Sequence, residues 1–313
     1  MLENELMNRR ERHPVISLLM ILILVGLGFI VIGPMIGFFL ALPFYSGSIT
    51  DMVNSLQSPA ADPAIKIPLY IVQASATFFG LIVCPALFLA AERRSVVDFF
   101  RNYKVDFLPV VITVIAVIVF MAVNSVFIEW NANVHFPEFA KEFEQWAKEK
   151  EELAAEMTKF LTKFDSVGEV LIALIVIAVI PAFGEEIVFR GIIQNQLLRA
   201  TNNIHVSIWF AAFLFSAIHF QFFGFVPRLL LGALFGYFYY WSGSLWFAVI
   251  AHFVNNGFSV LAMYFYQQGT VTYDLESPEA LPITAIIFSA LLTVALLYYF
   301  YKYFENRQSI TQL

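Results

Sequence analysis

The sequence predicts an all-α protein, a polytopic transmembrane helical bundle of about eight spans. Of the 313 residues, 60% are hydrophobic and only 13% are charged. A soluble domain of this size carries about twice that charged fraction. Phe alone accounts for 35 residues. This composition excludes a soluble domain, and because no basic patch could track phosphates, we expect no nucleic-acid partner.

Each expected span is an apolar run long enough to cross a hydrocarbon core of about 30 Å. The runs lie near residues 15–42, 68–91, 106–128, 167–189, 203–223, 228–241, 245–265 and 282–301. The sixth run is short, so we expect it to be tilted or only partly inserted. The first run is too long for the apolar region of a signal peptide, so we expect it to be retained as a span.

The distribution of basic residues predicts the orientation of the spans. If the spans alternate, most basic residues near span ends fall on one side: Arg9, Arg10, Arg12, Arg93, Arg94, Arg101, Lys104, Arg199, Lys302 and Arg307. The opposite loops, 43–67 and 266–281, hold one Lys between them. We therefore expect both termini to be cytoplasmic. The short, compact loops favour a bacterial inner membrane, with its lipids as partners.

A long polar segment, residues 134–166, interrupts the apolar pattern. Its lysines and glutamates are interleaved, and its aromatic and aliphatic residues recur at spacings of three, four or seven. This spacing predicts an amphipathic helix that lies on the membrane surface or caps the spans.

Ionisable residues inside the expected spans concentrate in the second half of the chain. The stretch "PAFGEEIVFRG" carries Glu185, Glu186 and Arg190; His219 follows in "FLFSAIHF", and "HFVNN" brings His252 and Asn256. A charged residue near the bilayer centre costs on the order of 2.5–3.5 kcal/mol, so such residues usually mark a functional site.

Helical spacing predicts how these side chains are grouped. Glu186 and Arg190 are four residues apart and share a face, as do His252 and Asn256, whereas Glu185 points about 100° away from Glu186. If the fourth helix continues to Arg199, Glu185 lies roughly 20 Å from its cytoplasmic end and reaches the depth of the histidines. The polar second half of that helix then needs a water-filled cavity. Pro181 is expected to bend the helix.

A carboxylate beside one or two imidazoles in a confined, wet site can activate water. An asparagine and a histidine can stabilise the oxyanion that forms when water attacks an amide. The cluster therefore fits peptide hydrolysis inside a membrane. Two versions stay open: a metal-free reaction, and a zinc site with Glu185, His219 and His252 as ligands, although no HExxH pattern is present.

"EEIVFR", "FSAIH" and "HFVNN" resemble the EExxxR, FxxxH and HxxxN motifs of the CPBP (CAAX protease and bacteriocin-processing) intramembrane proteases, which include the type II CAAX prenyl endopeptidases. The resemblance covers about residues 167–264. It implies Glu185 as the base that activates water, His219 as its helper, and His252 and Asn256 as oxyanion donors. It also implies that Glu186 and Arg190 organise the site, and that the substrate is a membrane-bound or lipidated peptide.

The resemblance divides the chain into three parts: N-terminal spans with the surface helix (1–166), a CPBP-like catalytic core (167–264), and a C-terminal loop, last span and tail (265–313). It also leaves a second function open, namely a catalytically silent protein of the same fold that acts in bacteriocin immunity or regulates a partner. A proton-coupled transporter is a third hypothesis. It is disfavoured because the ionisable residues are not repeated in both halves.

Overall fold

The computed structural model describes residues 12–100, 105–271 and 279–311, and every regular element in these ranges is helical. The longer helices are, in chain order, α1 (Pro14–Phe44), α2 (Ile49–Gln57), α3 (Pro63–Ala91), α4 (Phe107–Ala132), α5 (Lys141–Leu161), α6 (Val167–Thr201), α7 (Ile204–Ala217), α8 (Phe225–Ser242), α9 (Leu245–Gln267) and α10 (Ile283–Thr311). Of the basic residues used to predict orientation, Arg9, Arg10, Arg101 and Lys104 lie outside the described ranges.

In the described ranges, seven helices are long and apolar enough to cross a membrane: α1, α3, α4, α6, α8 with the turn before it, α9 and α10. The chain is therefore an integral membrane protein, and the prediction of an all-α bundle of about eight spans is confirmed. The eighth apolar helix, α7, has only 14 residues. The short span is thus the fifth and not the sixth, because α7 stops at Ala217 and the chain turns through Phe220, whose φ is +53°.

Helix α6 continues for 35 residues to Thr201, well past the end of its apolar run. It contains two wider, π-helical segments, Leu174–Val179 and Ile187–Gln194. Such segments occur mostly as insertions within α-helices and often lie at functional sites. The continuous helix carries the Glu185–Arg190 stretch in its middle.

Helices α1 and α3 pack closely through small residues. A Cβ atom on Gly33 would lie 2.5 Å from the Cα atom of Ala76, and one on Gly80 would lie 2.6 Å from the backbone of Phe29. In lipid, where no hydrophobic force drives helices together, small residues allow the close van der Waals contact that holds two spans. The largest apolar core includes residues of this pair and joins them to α6, α8, α9 and α10.

The predicted amphipathic segment forms α5, which rests on the ends of the spans. Ala147 on its inner face is fully buried, while Leu153 on another face is 58% exposed. Rings of Phe136 and Phe143 pack on Phe222, in the loop between α7 and α8. At the other end of α5, the Tyr70 hydroxyl of α3 donates a hydrogen bond to the Leu161 carbonyl.

Candidate functional site

Pro181 in α6 creates the first element of the site. Pro181 has no N–H, so the carbonyl of Ile177, four residues earlier, loses its helical donor. The Asn256 amide of α9 donates to that carbonyl instead, with an Nδ2–O distance of 3.0 Å. The proline thus gives α9 a fixed attachment point on α6.

Glu186 lies at the centre of the polar cluster and is completely buried. Its Oε1 atom accepts hydrogen bonds from the Arg190 guanidinium and from Nδ1 of His252, each at 2.8 Å. The Arg190 bond is the pairing that the spacing of four residues predicts. The His252 bond joins α6 to α9 and could not be seen in either motif alone.

Arg190 is buried as deeply as its partner carboxylate. Its second terminal nitrogen donates to the Gly232 carbonyl of α8 at 2.8 Å. The guanidinium carbon lies 4.7 Å from the ring centre of Phe215 and 5.5 Å from that of Phe235. The cation is therefore held by one carboxylate, one carbonyl and two aromatic faces.

A second donor repeats the Arg190 contact one turn along α6. Gln194 donates to the Gly236 carbonyl at 3.3 Å, so residues spaced by four on α6 meet glycines spaced by four on α8. A Cβ on Gly232 would lie 3.2 Å from the Arg190 guanidinium, and one on Gly236 would lie 2.9 Å from the Gln194 side chain. The sequence analysis missed both glycines, although the small-xxx-small pattern of "GALFG" is their signal.

The polar continuation of α6 packs against other helices. Gln194 and Gln196 are 2% and 1% exposed, and Asn195 donates to the Gly191 carbonyl and to the Tyr239 hydroxyl. In the described ranges, Oε1 of Gln194 is buried without a hydrogen-bond partner, although its NH₂ group donates to α8. The water-filled cavity beside this half of α6 stays a prediction.

The hydrogen bonds determine the tautomer of His252. Asn256 must present its NH₂ group to the Ile177 carbonyl, and the same nitrogen lies 3.1 Å from Nε2 of His252. Nε2 is therefore the acceptor, and Nδ1 carries the hydrogen that is donated to Glu186. The His252 ring is stacked on Phe235, with 5.4 Å between ring centres. In this state Nε2 carries no hydrogen, and its lone pair accepts from Asn256.

Glu185 lies on the Nε2 side of the His252 ring. Its Oε2 atom lies 3.8 Å from Nε2 of His252. The same atom is buried and, within the described ranges, has no hydrogen-bond partner. A buried carboxylate oxygen of this kind is rare unless the site serves a ligand or a reaction.

His219 is placed differently from its predicted position. It lies just beyond the end of α7 and not within the helix, and its Nδ1 atom donates to the Phe215 carbonyl at 2.8 Å. Its ring contacts Phe215, which in turn contacts His252. The structure thus joins Glu185, Glu186, Arg190, His252 and Asn256 directly, and adds His219 across Phe215.

The side chains do not fit the zinc alternative. Among the residues that the structure describes, no three His, Cys, Asp or Glu side chains are grouped so as to hold a metal ion. Both ring nitrogens of His252 are engaged, by Glu186 and Asn256, and Nδ1 of His219 is bonded to a carbonyl. Of the three proposed ligands, His252 is therefore not available without breaking one of these bonds, and His219 could bind only through Nε2.

Comparison with known proteins supports the resemblance that the motifs predict. A family model described as type II CAAX prenyl endopeptidase Rce1-like matches residues 167–258. This segment resembles the CPBP proteases. The matched range ends just beyond Asn256 and contains all six candidate residues.

One curated relative matches only part of the chain. Uncharacterized protein YpbD of Bacillus subtilis (strain 168) is 31% identical over 85 residues, which is 26% of this chain and 40% of that protein. The chain thus matches less than half the length of that relative. No solved structure matches the chain significantly.

Proposed function

We propose that the protein is an intramembrane endopeptidase that hydrolyses a peptide bond of a membrane-associated or lipid-modified protein by glutamate-activated water. The observation that carries this proposal is the unbonded Oε2 atom of Glu185, 3.8 Å from an imidazole nitrogen inside the helical bundle. A carboxylate needs a free lone pair in order to accept a proton from water.

The charges of the cluster support different roles for the two glutamates. Glu186 and Arg190 form a buried pair, so their charges cancel. Oε1 of Glu186 is bonded to Arg190 and His252, whereas its Oε2 atom is buried without a partner in the described ranges. Breaking such a pair leaves an uncompensated buried charge. Glu186 therefore organises the site and orients His252, while Glu185 remains able to exchange a proton.

The tautomer of His252 suggests how the reaction proceeds. Water attacks the substrate carbonyl carbon, and its proton passes to Glu185 or to Nε2 of His252. Once protonated, Nε2 becomes a donor while Nδ1 still donates to Glu186, so the ring can stabilise the oxyanion and then protonate the leaving nitrogen as the C–N bond breaks. Asn256, released from Nε2, can donate to the same oxyanion.

The basic residues support a membrane orientation with both termini in the cytoplasm. Arg12, Arg93, Arg94 and Arg199 then lie on one side, and α5 lies on the other. We place the protein in a bacterial inner membrane on the basis of its short loops. Fusing a reporter after residue 266 tests the orientation, since that loop should be extracytoplasmic.

An unbiased comparison of membrane-protein termini in cells tests the activity. The chain is produced as wild type, as Glu185→Gln and as Glu129→Gln, a control at an exposed site on α4. New termini should appear with wild type and with the control, and should disappear with Glu185→Gln. If no terminus depends on Glu185 while partner binding is retained, the catalytically silent alternative is supported.

A further inference from the structure

The loop that carries His219 has little regular structure to hold it. Between the end of α7 and the start of α8 the chain forms a turn and one 3-10 turn, Phe222–Gly224. Phe220, next to His219, has a φ of +53°, which is unfavourable for a bulky residue. Contacts from elsewhere in the protein must therefore maintain this conformation.

One side chain from outside the family-matched segment bridges this loop. Asn131, in the last turn of α4, is 2% exposed. Its Oδ1 atom accepts a hydrogen bond from the Val226 amide at 2.8 Å, and its Nδ2 atom donates to the Phe222 carbonyl at 3.1 Å. Both ends of the turn that leads into α8 are therefore held by one carboxamide.

The bridge replaces a cap that α8 lacks. The N-cap residue of α8, Gly224, has no side chain with which to bind the first amides of the helix. Such amides need an acceptor when they are buried. Asn131 supplies the acceptor from a neighbouring helix, so the start of α8 and the loop before it depend on α4.

A second chain of contacts reaches the same loop from α5. Arg228 donates to the backbone carbonyl and to the side-chain oxygen of Gln221, and the Gln221 amide lies 3.4 Å from Oε1 of Glu151. This contact is longer and lies farther out than the Asn131 bridge. Together the two sets of contacts hold the His219 loop, and each depends on one residue outside 167–258, Asn131 or Glu151.

We propose that Asn131 is a positioning residue for His219, so that the first half of the chain completes the catalytic site of the second half. Only the expected effect of Asn131 on cleavage rests on the proposed function. Its geometrical part, that Asn131 fixes the His219 loop, can be tested whether or not the protein cleaves peptides.

Asn124 provides a matched control. It lies on α4 seven residues before Asn131, is also buried, and donates a long hydrogen bond of 3.4 Å to the Pro227 carbonyl. Its Oδ1 atom has no partner in the described part of the chain. Replacing it removes an equal volume from the same helix and a bond to the first turn of α8, but no bond to the loop that carries His219.

The geometrical test uses purified full-length protein in detergent and the histidine reagent diethyl pyrocarbonate, followed by mass spectrometry. In Asn131→Ala, His219 should be modified at least about threefold faster than in wild type, because local opening exposes it. His205, far along α7, is the internal reference. Asn124→Ala should leave the His219 rate unchanged. Equal rates in the two variants would overturn the proposal.

The catalytic test follows the cleaved termini that depend on Glu185. Asn131→Ala should reduce their cleavage about tenfold or more, because misplacing a catalytic group by about 1 Å can cost up to 10²-fold. Asn124→Ala should not. If Asn131→Ala does not fold, Asn131→Asp, which keeps the acceptor for Val226, is compared with Asn124→Asp. If no terminus depends on Glu185, the proposed function fails and the modification rates alone decide this inference.

Discussion

Two pairs of helices approach each other through glycines, and they use the closeness differently. In α1 and α3, Gly33 and Gly80 let backbone pack against backbone, and no charged side chain lies at either glycine. In α6 and α8, Gly232 and Gly236 leave room for a guanidinium and a carboxamide, which donate to the glycine carbonyls.

The difference shows how a membrane bundle can hold charge. Small residues bring two helices together in both cases. At the first interface the closeness serves only packing, whereas at the second it exposes carbonyl oxygens that a buried cation requires. The buried polar site can form because Arg190 and Gln194, four residues apart on α6, lie against Gly232 and Gly236, four residues apart on α8.

The largest expected effect comes from breaking the charged interface. Arg190→Met should lower the free energy of unfolding by about 3–5 kcal/mol, because Glu186 is left as a buried, unpaired charge. Denaturant unfolding in detergent measures this loss. The double variant Glu186→Gln, Arg190→Met should recover part of it. A double variant no more stable than the single one would contradict the pairing argument.

Adding one methyl group at each interface sharpens the comparison. Gly33→Ala should cost about 1–3 kcal/mol of unfolding free energy, since its Cβ would meet the backbone of Ala76 at 2.5 Å. Gly232→Ala should cost less, because its nearest contact is 3.1 Å, but it should reduce cleavage by displacing Arg190. Gly33→Ala should therefore lower the thermal stability more, whereas Gly232→Ala should lower the cleavage activity more.

The attachment of α9 to α6 beside Pro181 should contribute a smaller amount. Asn256→Ala removes the donor to the partly buried Ile177 carbonyl and should lower the unfolding free energy by about 1–2 kcal/mol, because the acceptor loses its partner. The neighbour Ser259 is a control, because its hydroxyl bonds only within α9. Ser259→Ala should be nearly neutral when both are compared by thermal unfolding.

The smallest expected effect is a pH dependence from α5. Burial raises the pKa of Glu151, with Arg228 opposing the shift. The folded state therefore binds a proton more tightly than the unfolded state, so this group favours folding at low pH and loses that contribution as pH rises past its ordinary pKa. Glu151→Gln should flatten this part of a stability–pH curve. A variant curve parallel to that of wild type would contradict the shift.

Much of the fold could be predicted from the sequence because lipid imposes simple rules. A run of about 20 apolar residues must be helical to satisfy its own backbone, which identified most of the spans. The apolar run does not show that α6 continues beyond it. That continuation was predicted because Glu185 reaches the membrane depth of the histidines only if the helix extends to Arg199. The lengths of the fifth and sixth apolar runs were misjudged, since apolarity does not show where a turn ends a helix.

The candidate site was predictable one helix at a time. Within α6, the spacing of four gave the Glu186–Arg190 pair, and within α9 it gave His252 and Asn256 on one face. The bond from His252 to Glu186 and the stacking on Phe235 could not be predicted, because they depend on how helices rotate about their axes. Asn131 carried no signal, since one asparagine at the end of an apolar helix resembles any other.

The sequence by itself determined that this protein spans a membrane with helices and that acids, imidazoles and one guanidinium enter the apolar layer together. Those facts follow from transfer energies and helical spacing, which depend on the chain alone. The tertiary structure decided which glutamate is bonded and which is open, which nitrogen of His252 carries the hydrogen, and which distant residues hold the His219 loop. These depend on distances between helices, and such distances arise only when the helices pack.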